Sequence, residues 1–139
     1  MNGFQWFLHA LSHPLTFKGR ARRAEYAWFL LAFVVIGIPV ELIATETSML
    51  LSYLFYIIYS LPSISLTTRR LHDLGYSGWL QIPFGLLQAY LYTTPSTKNG
   101  VYGLLIMWAI VLFITGYLAL ADGQRKTNQY GPDPKANQI

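Results

Sequence analysis

The residues best suited to chemistry stand together near the middle of the chain, in the stretch Arg69-Arg70-Leu71-His72-Asp73. Guanidinium groups can hold a phosphate or a carboxylate through two parallel hydrogen bonds. A histidine within reach of a reacting group can serve as a general base. The stretch therefore predicts an anion-binding site, with a phosphoryl-transfer centre as an alternative.

Two long apolar runs flank this stretch and must position it. Residues 48–66 precede it, residues 79–92 follow it, and neither run contains a charged side chain. Apolar runs of about 17 to 25 residues are typical of transmembrane helices. We therefore predict that residues 69–79 form a loop at a membrane surface.

The composition of the whole chain is also that of a membrane protein. Of its 139 residues, 53% are hydrophobic and only 12% are charged, whereas soluble domains carry about 25% charged residues. There is no cysteine, so disulfides and thiolate ligands are excluded. The net charge of +4 comes from basic residues beside apolar segments, a pattern that indicates membrane orientation and no nucleic-acid binding.

The order of apolar and polar segments predicts an all-α integral membrane bundle in a single domain, residues 1–139. Four transmembrane helices are expected at residues 26–44, 48–66, 79–95 and 101–121. The third is short and contains Pro83 and Gly85, both of which interrupt helical patterns. The tail, residues 122–139, is polar and rich in proline and glycine, so we expect it to be irregular and cytoplasmic.

Residues 2–13 predict a short amphipathic helix that lies in the membrane interface. Asn2 can cap it, and Gln5, three residues later, completes the pattern of a capping box. Aromatic and aliphatic residues supply a broad apolar face on a helix too short to span a bilayer. Pro14 ends it, because the residue before a proline avoids helical angles.

The distribution of basic residues predicts the orientation of the helices. With four spans, nine of the ten lysines and arginines fall on one side of the membrane, and only Lys98 falls on the other. Because basic residues are enriched in cytoplasmic loops, both termini and the central loop are expected in the cytoplasm. Glu46 and Lys98 are then expected in the two outer loops.

Three blocks of the sequence resemble a known family. They are Phe17-x-Gly19-Arg20-Ala21-Arg22-Arg23-x-Glu25-Tyr26 with Trp28, Arg69-Arg70-Leu71-His72-Asp73 with Ser77-Gly78-Trp79, and Asn128-x-Tyr130-Gly131-Pro132-Asp133-Pro134. In this order they are similar to the YhaH-type family of small bacterial inner-membrane proteins, a domain of unknown function. The resemblance covers nearly the whole chain. It implies four membrane helices and a plasma-membrane location, and it brings no established activity.

The charged residues of the three blocks are expected to converge, because all three fall on the predicted cytoplasmic face. One hypothesis is that the arginines bind anionic lipid headgroups, since a lipid phosphate is the nearest anion. The alternative is a salt-bridge network that ties the helix ends together. The predicted lipid-binding set is Arg20, Arg22, Arg23, Arg69 and Arg70. The predicted loop-shaping or salt-bridge partners are Glu25, His72, Asp73 and Asp122.

Asp122 should need a cationic partner in particular. It follows the fourth apolar run directly, and the C-terminus of a helix disfavours an acidic side chain. We therefore predict that an arginine of the first or second block lies within salt-bridge distance of its carboxylate.

Two further functions stay open from the sequence. Prolines within the predicted spans (Pro39, Pro62 and Pro83) suit a small transporter or channel component acting as an oligomer, although Glu41 is the only charged residue in those spans. The other is an enzyme acting on a lipid-linked phosphate, in which His72 would be a base oriented by a carboxylate.

Metal and cofactor chemistry is not expected. His9 and His13 have the i, i+4 spacing of a metal-binding pair but lack further ligands. The expected partners are anionic membrane lipids, with a homo-oligomer or another membrane protein left open.

Overall fold

The computed structural model describes residues 1–93 and 98–136, and within these ranges the chain contains α-helices and no β-strand. A π-helical segment, Phe33–Gly37, joins α2 directly to α3, and a 3₁₀ segment, Gly78–Gln81, leads into α5. The prediction of an all-α fold is confirmed for this part of the chain. The helices are α1 (Gly3–Ser12), α2 (Arg23–Ala32), α3 (Ile38–Thr47), α4 (Met49–Asp73), α5 (Ile82–Thr93) and α6 (Lys98–Leu120).

Two helical segments in the described residues are long and apolar enough to cross a membrane. They are Arg23–Ala44, with a mean hydropathy of 2.3, and Met49–Asp73, with a mean hydropathy of 1.6. A third apolar segment, Leu105–Leu120, is shorter. Most residues of the two long segments are not buried by the protein. An apolar helix with so little cover is typical of one that is surrounded by lipid.

The first two long segments form an antiparallel hairpin. Only Ser48 separates α3 from α4, and its amide donates to the carbonyl of Ala44 at 2.9 Å. Farther along, Phe29 and Phe33 stack on Tyr59 of α4, with ring centroids 5.0 and 4.1 Å apart. The hairpin therefore brings the start of α2 beside the end of α4.

Helix α4 is longer than the sequence predicted, and this moves the charged residues out of a loop. The second span was expected to end near residue 66, but the helix continues through Pro62 and ends at Asp73. The prediction of a loop was therefore wrong for residues 69–73. The charged residues end the apolar run, but they do not end the helix. Basic side chains are favoured in the last turn of a helix, and Arg70 and His72 lie in the last turn of α4.

The true break between α4 and the 3₁₀ segment is short. The amide of Tyr76 donates to the carbonyl of Leu71 at 2.8 Å, and Gly75 adopts a φ of +87°. That angle lies in the left-handed region, which glycine tolerates because it has no Cβ. The chain therefore reverses within a few residues, and the end of α4 stays close to the start of α5.

Helix α1 has the predicted capping box. The amide of Gln5 donates to Asn2 Oδ1, and the amide of Asn2 donates to Gln5 Oε1, both at 2.9 Å. Its inner face packs on α2, where Phe7 lies 6.1 Å from Phe29 between ring centroids, while Phe4 and Leu8 remain exposed. The position of this helix in the membrane interface stays a prediction.

The last two predicted spans correspond to α5 and α6, with shifted bounds. Pro83 is the second residue of α5, a position where a missing amide hydrogen does no harm. α6 begins three residues before the predicted residue 101. Residues 94–97 and the side chains of Glu41 and Lys98 lie outside the described part of the chain, so the expectations for them remain as stated.

The buried core sits at the end of the molecule where α2 starts and where α4 and α6 end. It contains the side chains of Ala10, Ala21, Tyr26, Phe29, Leu66, Leu71 and Leu118. The buried polar and charged side chains of the described residues collect at the same end: Glu25, Ser65, Thr68, Arg69, Arg70 and Asp73. Four of the residues that the sequence singled out, Glu25, Arg69, Arg70 and Asp73, are therefore inside the protein.

Candidate functional site

Asp73 is the centre of a buried charged cluster at the end of α4. Its Oδ2 lies 2.5 Å from Arg70 Nη1, and its Oδ1 lies 2.9 Å from Arg20 Nε. None of these three side chains is more than 2% exposed. Charges at such depth need close partners and further hydrogen bonds to offset the loss of water. We call Arg20, Glu25, Arg69, Arg70 and Asp73 the buried cluster.

Arg70 ties the end of α4 to the end of α6. Its Nε donates to the carbonyl of Leu118 at 2.7 Å, and its Nη2 donates to the carbonyl of Ala121. The last carbonyls of a helix lack partners within the helix and carry the negative end of its dipole. Arg70 therefore satisfies groups that α6 leaves open, with a charge that is favourable there.

Arg20 fixes the C-terminal tail. Its Nη1 donates to the carbonyls of Lys126 at 2.7 Å and Gly131 at 3.3 Å, and its Nη2 donates to the carbonyl of Gln124. The amide of Gln124 in turn donates to the carbonyl of Asp73 at 2.9 Å. The tail is irregular, as its composition suggested, yet side-chain and main-chain bonds hold it in place through residue 136. From the sequence, only the expected convergence of the third block with the other two blocks pointed to such contacts of the tail.

His72 does not form a pair with Asp73. Its Nδ1 lies 3.1 Å from the carbonyl of Gly19, and because a carbonyl only accepts, Nδ1 is the donor in this contact. The ring stacks on Tyr130 with centroids 3.8 Å apart and an interplanar angle of 4°. The idea of a histidine base oriented by a carboxylate was therefore wrong. His72 instead joins the segment before α2 to the tail, and sequence reasoning missed Tyr130 as its partner.

Arg69 and Glu25 form a second buried ion pair, between α4 and α2. Arg69 Nη1 lies 3.0 Å from Glu25 Oε1, and the two side chains are 6% and 3% exposed. His9 Nδ1 of α1 lies 3.1 Å from the same oxygen. The pair therefore joins three helices. The carbonyl of Arg69 also accepts the amide of Ala21 at 3.0 Å, which fixes the chain just before α2.

Asp122 has the arginine partner that the sequence predicted. Arg23 Nη1 lies 3.1 Å from Asp122 Oδ1, and Lys135 Nζ lies 3.0 Å from the same oxygen. The hydrogen bond and the charge of Lys135, followed by the charge of Arg23, lower the pKa of the Asp122 carboxyl from its usual 3.8. About half of each side chain of the Arg23–Asp122 pair is exposed. Because solvent screens the two charges, the pair contributes little to the stability of the fold.

Arg22 is the fifth arginine of the predicted lipid-binding set. Its guanidinium carbon lies 5.8 Å from the centre of the Trp6 ring, and its Nη2 donates to the carbonyl of Pro134. In the described part of the chain it has no carboxylate within 4.0 Å. The guanidinium groups of Arg20 and Arg70 thus donate to Asp73 and to main-chain carbonyls of the protein. Arg22, in contrast, keeps a positive charge that no carboxylate neutralises.

Gly123 follows the fourth span, where the sequence predicts a left-handed helix cap, but its φ is not positive, and it instead lies against Asp73. A Cβ at this position would overlap the carboxylate of Asp73, which two arginines hold in place. We expect Gly123→Ala to lower the free energy of unfolding by about 1 to 3 kcal/mol, as overpacking does, measured by thermal unfolding in detergent followed by circular dichroism.

Gly116→Ala is the matched control for that measurement. A Cβ at Gly116 of α6 meets no atom within 4 Å, and alanine is the better helix former by up to about 1 kcal/mol. Equal stability of the two variants would contradict the close approach of Gly123 to Asp73.

A cleft of about 770 Å³ separates α4 from α5 and α6. Hydroxyl side chains of α4, Ser60, Ser63 and Thr67, line it together with Gln81 and mostly apolar residues. No described residue along it is charged. Among the described residues, His, Cys, Asp and Glu form no group of three that could hold a metal ion.

Comparison with known proteins places the chain in a family. The model of the protein family of unknown function DUF805 matches residues 14–132. The chain is 34% identical to the inner membrane protein YhaI of Escherichia coli (strain K12) over 135 residues, 94% of this chain and 96% of that protein. It is 28% identical to the inner membrane protein YhaH of the same organism over 137 residues, with the same coverage.

No solved structure matches the chain. The relatives are inner membrane proteins, in agreement with the two helical segments long enough to span a membrane. The chain therefore belongs to the DUF805 family of unknown function, as the three sequence blocks indicated.

Proposed function

We propose that this is a four-span inner-membrane protein whose buried cluster fixes the cytoplasmic ends of its helices, and whose surrounding basic surface binds anionic lipid headgroups. The observation that carries the proposal is the pair of bonds from Arg70 to the last carbonyls of α6. They join helix ends at the face where the sequence collects its basic residues. The proposal gives the protein a scaffolding and lipid-binding role and assigns it no catalysis.

The same contacts support the number of spans. Because Arg70 joins the ends of α4 and α6, the chain between them must leave this face and return to it. We assign one crossing to α6 and the other to the 3₁₀ segment together with α5, whose 4 and 12 residues extend about 26 Å at roughly 2.0 and 1.5 Å per residue. α6 has 23 residues, about 34 Å at 1.5 Å per residue, which exceeds the roughly 30 Å of a bilayer core. Together with the hairpin of α2–α3 and α4, these crossings support the proposed four spans.

The orientation is tested by labelling single cysteines, since the native chain has none. We expect Ser96→Cys to react with a membrane-impermeant maleimide added outside intact inner-membrane vesicles of right-side-out orientation. Gln129→Cys, in the tail, should react only after the vesicles are opened. Reaction of Ser96→Cys solely from the cytoplasmic side would contradict the four-span arrangement.

The lipid-binding part of the proposal rests on basic residues that the protein does not neutralise. Lys18, Arg22, Arg125 and Lys126 have no carboxylate within 4.0 Å in the described part of the chain. All four fall on the predicted cytoplasmic face. A basic residue next to an anionic membrane surface contributes about 1 kcal/mol of attraction. This surface set, rather than Arg20 and Arg70, is the part of the predicted site that remains open to lipid.

Lipid retention by the purified protein tests this proposal directly. We expect native mass spectrometry of the wild-type protein, released from membranes with equal amounts of phosphatidylglycerol and phosphatidylcholine, to show enrichment of phosphatidylglycerol. Replacing Arg125 and Lys126 with glutamine should reduce the enrichment, because each removes one surface charge. Equal retention of the two lipids by the wild type would remove lipid binding from the proposed function.

A further inference from the structure

Three buried arginines of the cluster use their guanidinium groups differently. The Nε and Nη2 atoms form one edge of the group, the edge that can hold two oxygens of one anion side by side. In Arg70 this edge is filled by the carbonyls of Leu118 and Ala121. In Arg20 it is filled by Asp73 and the carbonyl of Gln124.

Arg69 is the exception. Its Nη1 pairs with Glu25, but its Nε and Nη2 are buried and have no hydrogen-bond partner in the described part of the chain. The side chain is 6% exposed. A buried donor without a partner loses its hydrogen bonds to water and gains none from the protein. Such groups are therefore rare in folded proteins. Two of them on one edge of one guanidinium indicate a missing acceptor.

The charge around Arg69 suits an anion. Glu25 neutralises one positive charge of this region, while Arg22, four residues after Lys18 and directly before α2, has no carboxylate partner among the described residues. His9 belongs to α1 and contacts the Glu25 carboxylate, and Arg22 lies against the ring of Trp6 in the same helix. An added monoanion therefore meets a net positive environment.

We infer that the Nε and Nη2 edge of Arg69 binds two oxygens of a phosphate group, held between α1, the first turn of α2 and α4. This inference rests on the proposed function and names the atoms that recognise the headgroup. A phosphodiester of a lipid and free inorganic phosphate present the same pair of oxygens. Entry requires α1 to shift, because α1 and the residue after it close this region through His9 and through the bond from Ser65 Oγ to the carbonyl of His13 at 3.0 Å.

Nuclear magnetic resonance of the arginine side chains tests the inference on the unaltered protein. The Nε–H signal of Arg69 is identified by its absence from the spectrum of Arg69→Lys. The wild-type protein is then compared in nanodiscs of phosphatidylcholine, in nanodiscs containing phosphatidylglycerol, and in phosphatidylcholine nanodiscs with added inorganic phosphate. We expect a saturable shift of the Arg69 signal, with the Nε–H signals of Arg20 and Arg70 unchanged.

The two phosphate sources give separate results. A shift with phosphatidylglycerol alone supports a lipid headgroup as the ligand, and a shift with inorganic phosphate supports a free phosphate. An unmoved Arg69 signal in both, with phosphatidylglycerol still enriched on the protein, overturns the assignment to Arg69 and leaves the proposed lipid binding intact. An unmoved signal without any enrichment overturns both.

A matched pair of variants provides the second measurement. Arg69→Lys keeps the charge that faces Glu25 and removes the planar edge. We expect it to weaken binding of the phosphate ligand about tenfold or more, the loss that corresponds to one charge-assisted hydrogen bond. Lys135→Arg makes the reverse, charge-preserving exchange at a tail residue that pairs with Asp122 and lies outside the proposed lipid-binding set, and it should leave binding unchanged. Equal affinity of both variants and the wild type would contradict the inference.

Discussion

Replacement of Asp73 by asparagine is expected to lower the free energy of unfolding by about 3 to 5 kcal/mol, the usual result of breaking a buried ion pair. Asp73 is 2% exposed and lies between Arg20 Nε and Arg70 Nη1, at 2.9 and 2.5 Å. Asparagine keeps the size of the side chain but leaves two buried guanidinium groups without a counter-charge. Thermal and denaturant unfolding in detergent micelles would measure the loss.

Asp122→Asn is the matched control for this prediction. It makes the same chemical change at the end of α6, where Asp122 also contacts Arg23 and Lys135. Asp122 is 47% exposed, and water replaces the lost contacts, so only a small change in stability is expected. If the two variants unfolded at the same temperature, the central position of Asp73 in the buried cluster would be wrong.

Arg70→Lys is expected to lower the free energy of unfolding by about 2 kcal/mol or more, although it preserves the charge. The guanidinium reaches Asp73 and the carbonyls of Leu118 and Ala121 at once, from three different nitrogens. An ammonium is a single point and cannot occupy those three positions together. At least one buried carbonyl at the end of α6 is then left without a donor.

Hydrogen exchange distinguishes this effect from a general loss of stability. The bonds of Arg70 hold the end of α6 against α4, so amides that follow α6, including Gln124, should exchange faster in Arg70→Lys than in the wild type. Amides in the hairpin near Ser48, at the other end of α4, should exchange at the wild-type rate. Faster exchange spread evenly over the chain would contradict a specific role at the end of α6.

The sequence by itself determined the class of the protein and indicated that its three charged blocks converge. Uncharged apolar runs of bilayer length allow only helices that satisfy their own backbone groups, because lipid offers no hydrogen bonds. The capping box of Asn2 and Gln5 is a local pattern, so it was readable without the fold. The need of Asp122 for a cation followed from its place after a helix, whose dipole repels an acidic side chain there.

The tertiary structure decided how the charges are used. Residues 69–73 interrupt an apolar run, yet they are helical, and only the packing of α4 against α2 and α6 shows that Arg70 and Asp73 face inward. The bonds of Arg20 to the tail join residues more than 100 positions apart, a separation over which no local pattern carries information. Five similar arginines in the sequence thus divide into buried anchors, exposed surface charges and Arg69 with an open edge. Burial and distance, which depend on the folded chain, set the electrostatic strength of each one.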